Sequence, residues 1–140
     1  MRVLFDTNII LDVLLDREPF VRASNELMSC AERGEVSGYL CASTVTTLFY
    51  LASKTVGKEQ AHTHLSMLLR VFDVAAVNRT VIESALASQF SDFEDAVLYY
   101  AAAHAGLDAI VTRNPRDFKL AKIPVYQPNE LLVVLDSSAG

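Results

Sequence analysis

The chain is short of positive charge: 12 Lys and Arg stand against 17 Asp and Glu in 140 residues, a net charge of −5. That deficit excludes a protein gripping nucleic acid by a broad basic face. It does not exclude an enzyme acting on nucleic acid, because a divalent cation can bridge acidic side chains to phosphate while local Arg and Lys help. Cysteine is nearly absent. Cys30 and Cys41 lie in apolar surroundings with no Cys-x-x-Cys pair and no Cys/His zinc spacing, so they read as buried free thiols in a reducing compartment. No apolar run is long enough to span a bilayer. The start, Met-Arg-Val-Leu-Phe-Asp, meets an acid at position 6 and cannot be a signal-peptide core, so a cytoplasmic protein is expected. Repeats, low-complexity tracts and linkers are also missing. With five Gly, four Pro and 51% hydrophobic residues, the composition suits one compact domain over 1–136, with a flexible tail at 137–140.

Short apolar runs alternate with helical periodicity. Residues 2–5 read as a buried strand ending at Asp6, and Ile9, Ile10, Val13 and Leu14 give 7–15 a helical spacing. A second helix over 19–33 is closed by Gly34. A strand over 38–42 leads into a helix over 43–54, with Gly57 just past its end. Helix 58–69 precedes a strand-like stretch at 71–77. Asn78 caps a helix through Ser88, and Asp92 caps the next. Strands follow at 107–111 and 123–126, then a helix at 128–135. Strands alternating with helices predict an α/β fold, a three-layer α/β/α sandwich around a parallel sheet of about five strands. In such sheets ligands gather beyond the carboxyl ends of the strands, which places Asp6 and the segment 112–117 on one rim.

Three groups on or near that rim carry chemistry. In Asp6-Thr7-Asn8 the carboxylate is a hard ligand suited to Mg²⁺, and it is equally suited to capping the helix that follows. In Asp92-Phe93-Glu94-Asp95-Ala96, Asp92 and Asp95 have capping-box spacing, yet three acids in four positions repel one another, a cost that a cation would relieve. Ala96, Tyr99 and Ala103 flank the side of Asp92 and Asp95, making Asp95 the better inward candidate than Glu94. The third, Val111-Thr112-Arg113-Asn114-Pro115-Arg116-Asp117-Phe118, supplies a hydroxyl, an amide, a carboxylate and two guanidinium groups, or is an Asn-Pro turn over a packed Phe118.

Taken together, the three groups resemble the PIN-domain family, particularly VapC-like toxins of bacterial toxin–antitoxin pairs. The resemblance covers nearly the whole chain, from Val3-Leu4-Phe5-Asp6-Thr7-Asn8 to Ile110-Val111-Thr112-Arg113-Asn114-Pro115-Arg116-Asp117-Phe118. It implies a metal-dependent ribonuclease in which Asp6, Asp95 and Asn114 are catalytic and Asp6 and Asp95 hold Mg²⁺ or Mn²⁺. Thr7, Asn8, Ser43, Thr47, Asp92, Glu94, Arg113 and Asp117 are the supporting candidates, with Arg113 or Arg116 contacting flanking phosphates of the RNA. It also implies a homodimer and an antitoxin partner docking on the helices of 12–33.

The chain departs from the pattern at two positions. A typical member has Glu where Thr47 stands, and many have Asp where Asn114 stands. The quartet of acids is thus reduced to two, with Glu94, Asp92 or Asp117 as substitutes, which motivates an alternative: a weak or inactive PIN domain binding RNA or protein without cutting. His62 and His64, two apart on a helix, make a poor metal pair, and His104 reads as packed. Arg17 beside Asp12 and Asp16 reads as a local ion pair.

Overall fold

The computed structural model describes residues 1–139. Strand β1 (Arg2–Phe5) is followed by helices α1 (Thr7–Leu14) and α2 (Val21–Glu32), then β2 (Ser37–Cys41), α3 (Ala42–Val56) and α4 (Lys58–Val71). Strand β3 (Asp73–Ala75), α5 (Arg79–Ala87), α6 (Phe93–His104) and β4 (Ala109–Val111) come next. A 3-10 turn (Pro115–Phe118), β5 (Val125–Tyr126) and α7 (Pro128–Ala139) complete the described chain. The sheet has the order β3-β2-β1-β4-β5, and every pairing in it is parallel.

Period-2 alternation along the strands divides the interior in two. Val3, Phe5, Leu40, Ala109 and Val111 face a core shared with α1, α2, α3, α4 and α7. Their neighbours Leu4, Cys41, Ala75 and Ile110 face the opposite core, against α5 and α6. A buried strand flanked by helices on both sides needs apolar residues at every position, and Val3, Leu4 and Phe5 are each at most 1% exposed. The three-layer α/β/α arrangement around a parallel sheet is therefore the one expected.

Local signals account for most element ends. Asn78 Oδ1 accepts from the Val81 N–H at 3.1 Å and Asp92 Oδ1 from the Asp95 N–H at 2.9 Å, so both cap as expected. Gly34 and Gly57, at φ +76° and +88°, occupy the left-handed region just past α2 and α3. Other bounds move. The stretch 71–77 yields only Asp73–Ala75 as strand, because Val71 still belongs to α4 and the Phe72 N–H bonds back to Leu68 O at 2.8 Å. The strand expected at 107–111 starts at Ala109, since the Leu107 N–H returns to Ala102 O at 3.0 Å. Helix α7 runs on from the expected 128–135 to Ala139, so much of the segment read as a tail is helical, and Gly140 lies outside the described residues. His104 is exposed at the end of α6, with Nε2 3.4 Å from Ser84 Oγ, rather than packed. Both cysteines are buried and free. Among the described residues no helix is long and apolar enough to cross a membrane.

Candidate active site

Strand order reverses direction between β1 and β4: the chain builds outward from β1 to β3, then crosses back to place β4 on the other side of β1. A crevice at the carboxyl ends of two such strands is the usual ligand position in an open parallel sheet. Asp6 and Thr112 stand there. The Asp6 N–H continues the ladder to Val111 O at 3.0 Å, and the carboxylate caps α1 by accepting the Thr7 N–H at Oδ1, 2.7 Å away. Oδ2 accepts the Thr112 hydroxyl at 2.8 Å and the Asn8 side-chain amide at 3.4 Å. Capping and rim-facing are thus not exclusive for Asp6, because each role uses a different oxygen.

Thr112 is fully buried and serves several neighbours. Besides donating to Asp6, its oxygen accepts from the Asn114 N–H at 3.1 Å and the Asn8 amide at 3.4 Å. Burial pushes the Asp6 carboxyl above the usual carboxylate range; the Thr112 and Thr7 hydrogen bonds oppose this, and the charges of Glu94 and Asp117 add to it. Asp95, half-buried in the first turn of α6, is pushed up to about 7, first by desolvation and then by Asp92, Asp6, Asp117 and Glu94. Asp95 is therefore within electrostatic reach of four other acids, which with it come from three separate segments. Asp92, Glu94 and Asp117 are exposed. Asp92 is engaged as the cap of α6.

The supporting candidates sort differently. Ser43 is exposed in the first turn of α3, its hydroxyl 3.3 Å from Cys41 Sγ. Thr47 follows one turn later, half-buried, on the same side of the helix. The Thr7 hydroxyl is buried without a hydrogen-bond partner among the described residues. Asn114 is exposed and caps the 3-10 turn without a side-chain bond.

Arg113, expected to reach for phosphate, is engaged within the chain instead of extending freely from the rim. Its Nε and Nη2 donate to Oδ2 and Oδ1 of Asp12 at 2.7 and 3.3 Å, its guanidinium lies 3.9 Å over the Phe20 ring, and its side chain is only 23% exposed. Arg116, by contrast, is exposed. Asp12 is likewise more than a local partner for Arg17, which sits 3.9 Å away and 40% exposed. The missed signal in Ile9-Ile10-Leu11-Asp12-Val13-Leu14 is a lone acid inside an otherwise apolar stretch, one turn after Asn8.

The chemistry of the donor set tests whether a divalent ion fits. Among the described residues no three His, Cys, Asp or Glu side chains converge as a metal-holding group, so an all-protein cage is absent there. What is present is a pair, Asp6 and Asp95, whose mutual repulsion a cation would offset. Hard oxygen ligands of this kind suit an ion that keeps most of its waters. The residues fit such a hydrated ion and no more demanding one.

A toxin–antitoxin complex from Klebsiella pneumoniae has a similar chain at TM-score 0.68 and 24% identity, covering 90% of this chain and 97% of that one. VapBC2 from Rickettsia felis, bound to a DNA fragment from its promoter, is similar at TM-score 0.66 and 17% identity over 91% and 98%. The sarcin-ricin loop cleaving toxin VapC20 of Mycobacterium tuberculosis is similar at TM-score 0.61 and 13% identity over 77% and 86%. No curated protein sequence matches. A family model described as PIN domain matches residues 2–116, well over half the length, and on that match the chain belongs to the PIN domain family.

Proposed function

We propose that the protein is a metal-dependent endoribonuclease and the toxin of a toxin–antitoxin pair, working in the cytoplasm. The observation that carries this reading is the acidic cluster at the switch point between β1 and β4, where Asp6 and Asp95 repel each other. Membership of the PIN family supports it. So do similar chains that are a toxin cleaving the sarcin-ricin loop and a component of a toxin–antitoxin complex.

In this reading Asp6 and Asp95 would hold Mg²⁺ or Mn²⁺, an ion that would supply Lewis acidity for activating water and offsetting phosphate charge. Thr112 and Asn8 keep Asp6 Oδ2 oriented through their hydrogen bonds. Thr7, whose hydroxyl lacks a partner among the described residues, and the exposed Ser43 and Asn114 orient water or phosphate. Asp92 holds the first turn of α6 and hence Asp95 in place, while Glu94 and Asp117 deepen the negative potential. Arg116 contacts a flanking phosphate. A homodimer and an antitoxin on the α1–α2 face complete the proposal.

The lack of a three-acid group among the described residues favours a second reading, in which the domain binds RNA or protein without cutting. Thr47 and Asn114 then mark a degenerate site. Mn²⁺-dependent cleavage of single-stranded RNA by the native chain, lost in both Asp6→Asn and Asp95→Asn, supports the nuclease. Turnover unchanged in both variants removes the assignment. Calorimetric Mn²⁺ titration without RNA separates failed ion binding from failed chemistry.

A further inference from the structure

Arg113 is gripped twice by one face of α1. Its backbone N–H donates to Asn8 Oδ1 at 3.3 Å, and its guanidinium donates to both carboxylate oxygens of Asp12. Asn8 and Asp12 are four apart in α1 and so point the same way. Asp12 is fully buried, and Phe20, in the turn before α2, covers the guanidinium.

Stability alone does not account for a carboxylate buried next to Ile9, Ile10 and Leu11. An apolar side chain of similar volume serves as well or better in such a place, whereas a buried ion pair fixes geometry and penalises any departure from it. The geometry fixed here is that of the rim. Arg113 lies between Thr112, which donates to Asp6, and Asn114, whose N–H bonds to the Thr112 hydroxyl oxygen. Asn8, which holds the Arg113 N–H, also donates to Asp6 Oδ2. Both hydrogen bonds to Asp6 Oδ2 among the described residues thus come from Asn8 or the residue preceding Arg113.

We propose that Asp12 and Arg113, covered by Phe20, are positioning residues: they clamp the 112–114 turn onto α1 so that the Thr112 hydroxyl and the Asn8 amide meet Asp6. The catalytic consequence rests on the nuclease reading; the clamp itself does not. Arg113→Lys separates this role from phosphate binding, because Lys keeps the charge but loses the bidentate fork and the stacking on Phe20.

Two readouts on the full-length chain test the clamp. In the metal-free protein, amide hydrogen exchange at Arg113 and Asn114 becomes about tenfold faster in Arg113→Lys while Leu4 and Ile110 are unchanged. In RNA cleavage with Mn²⁺, kcat falls on the order of tenfold or more with KM unchanged, the mark of a displaced site rather than a lost substrate contact. Phe20→Leu, at a position 40% exposed that leaves the ion pair intact, moves both readouts in the same direction by less. It carries the test if Arg113→Lys does not fold. Unchanged exchange at 113 and 114 in the folded variants overturns the clamp. So does a raised KM with unchanged kcat and a weaker salt dependence, which would make Arg113 a phosphate contact. If the native chain cleaves nothing, the nuclease reading fails and the exchange result alone decides the clamp.

Discussion

The Thr112 hydroxyl donates to Asp6 Oδ2 across 2.8 Å, joining the ends of β4 and β1 over 106 positions of sequence. Thr112→Val keeps the shape and deletes both the donor to Asp6 and the acceptor of the Asn114 N–H and the Asn8 amide, of which only the bond to Asp6 depends on the carboxylate charge. A hydrogen bond to a charged group contributes about 1.5–3 kcal/mol, so the variant loses stability of that order at pH 7.5 in urea titration. Without the donor, Asp6 rises further above the ordinary carboxylate range, since this bond lowers it. The deficit then shrinks towards pH 4 as the carboxyl protonates. A deficit equal at both pH values would show that the bond does not act on the Asp6 charge.

Asp95 makes the metal-free protein sensitive to pH. Its pKa is raised from 3.8 to about 7 on folding, so between those values the folded chain holds the proton more tightly than the unfolded one. Its contribution to stability is full below pH 3.8 and is lost as pH rises through about 7. Asp95→Asn removes the charge and should stabilise the metal-free chain at pH 8. Screening at this half-exposed position keeps the gain to about 1 kcal/mol, or roughly 2–4 °C in Tm. The gain vanishes near pH 4. Mn²⁺ raises the Tm of the native chain more than that of the variant. A stabilisation that persists at pH 4 would assign the effect to something other than the carboxylate charge.

Local patterns made the fold legible and hid part of the rim. Val3-Leu4-Phe5 announces a doubly buried strand by being wholly apolar, and Asn78 and Asp92 announce helix starts within three residues of the N–H groups they accept. Asp6 and Asp95 stand out because each adjoins an element boundary. Asp12 does not, because its principal partner Arg113 lies 101 positions away while Arg17 lies close at hand. Periodicity and spacing report neighbours along one helix or strand, so a pair formed only when α1 meets the end of β4 leaves no local trace. Element ends drifted for the opposite reason. At Val71 and Leu107 a β-compatible residue was still held by a helical turn.

Gly38 offers a test of the core away from the rim. A Cβ at this position of β2 would lie 2.5 Å from Phe72 Cε1. The Phe72 ring is 4% exposed and meets Phe5 edge-on with centroids 4.9 Å apart, so it has little room to yield. Gly38→Ala is therefore overpacked and loses about 1–3 kcal/mol, read as a lower urea midpoint at unchanged slope. A neutral result would mean that the ring and β2 can separate freely.

Thr47→Glu decides between the two functional readings. Helix α3 starts directly after β2, which pairs with β1, so its first turns share the rim with Asp6. A carboxylate there adds a third acid to the pair. Charge count among the ligands tunes affinity for hard cations, so Mn²⁺ binding by calorimetry should tighten by about tenfold or more. The same charge destabilises the metal-free variant at pH 8 and not at pH 4, by the sign argued for Asp95. If the native chain is a degenerate binder, cleavage appears or rises only in the variant. If the native chain already cleaves as fast, two carboxylates and water suffice and the binding-only reading fails. Unchanged Mn²⁺ affinity would place Thr47 outside the reach of the ion.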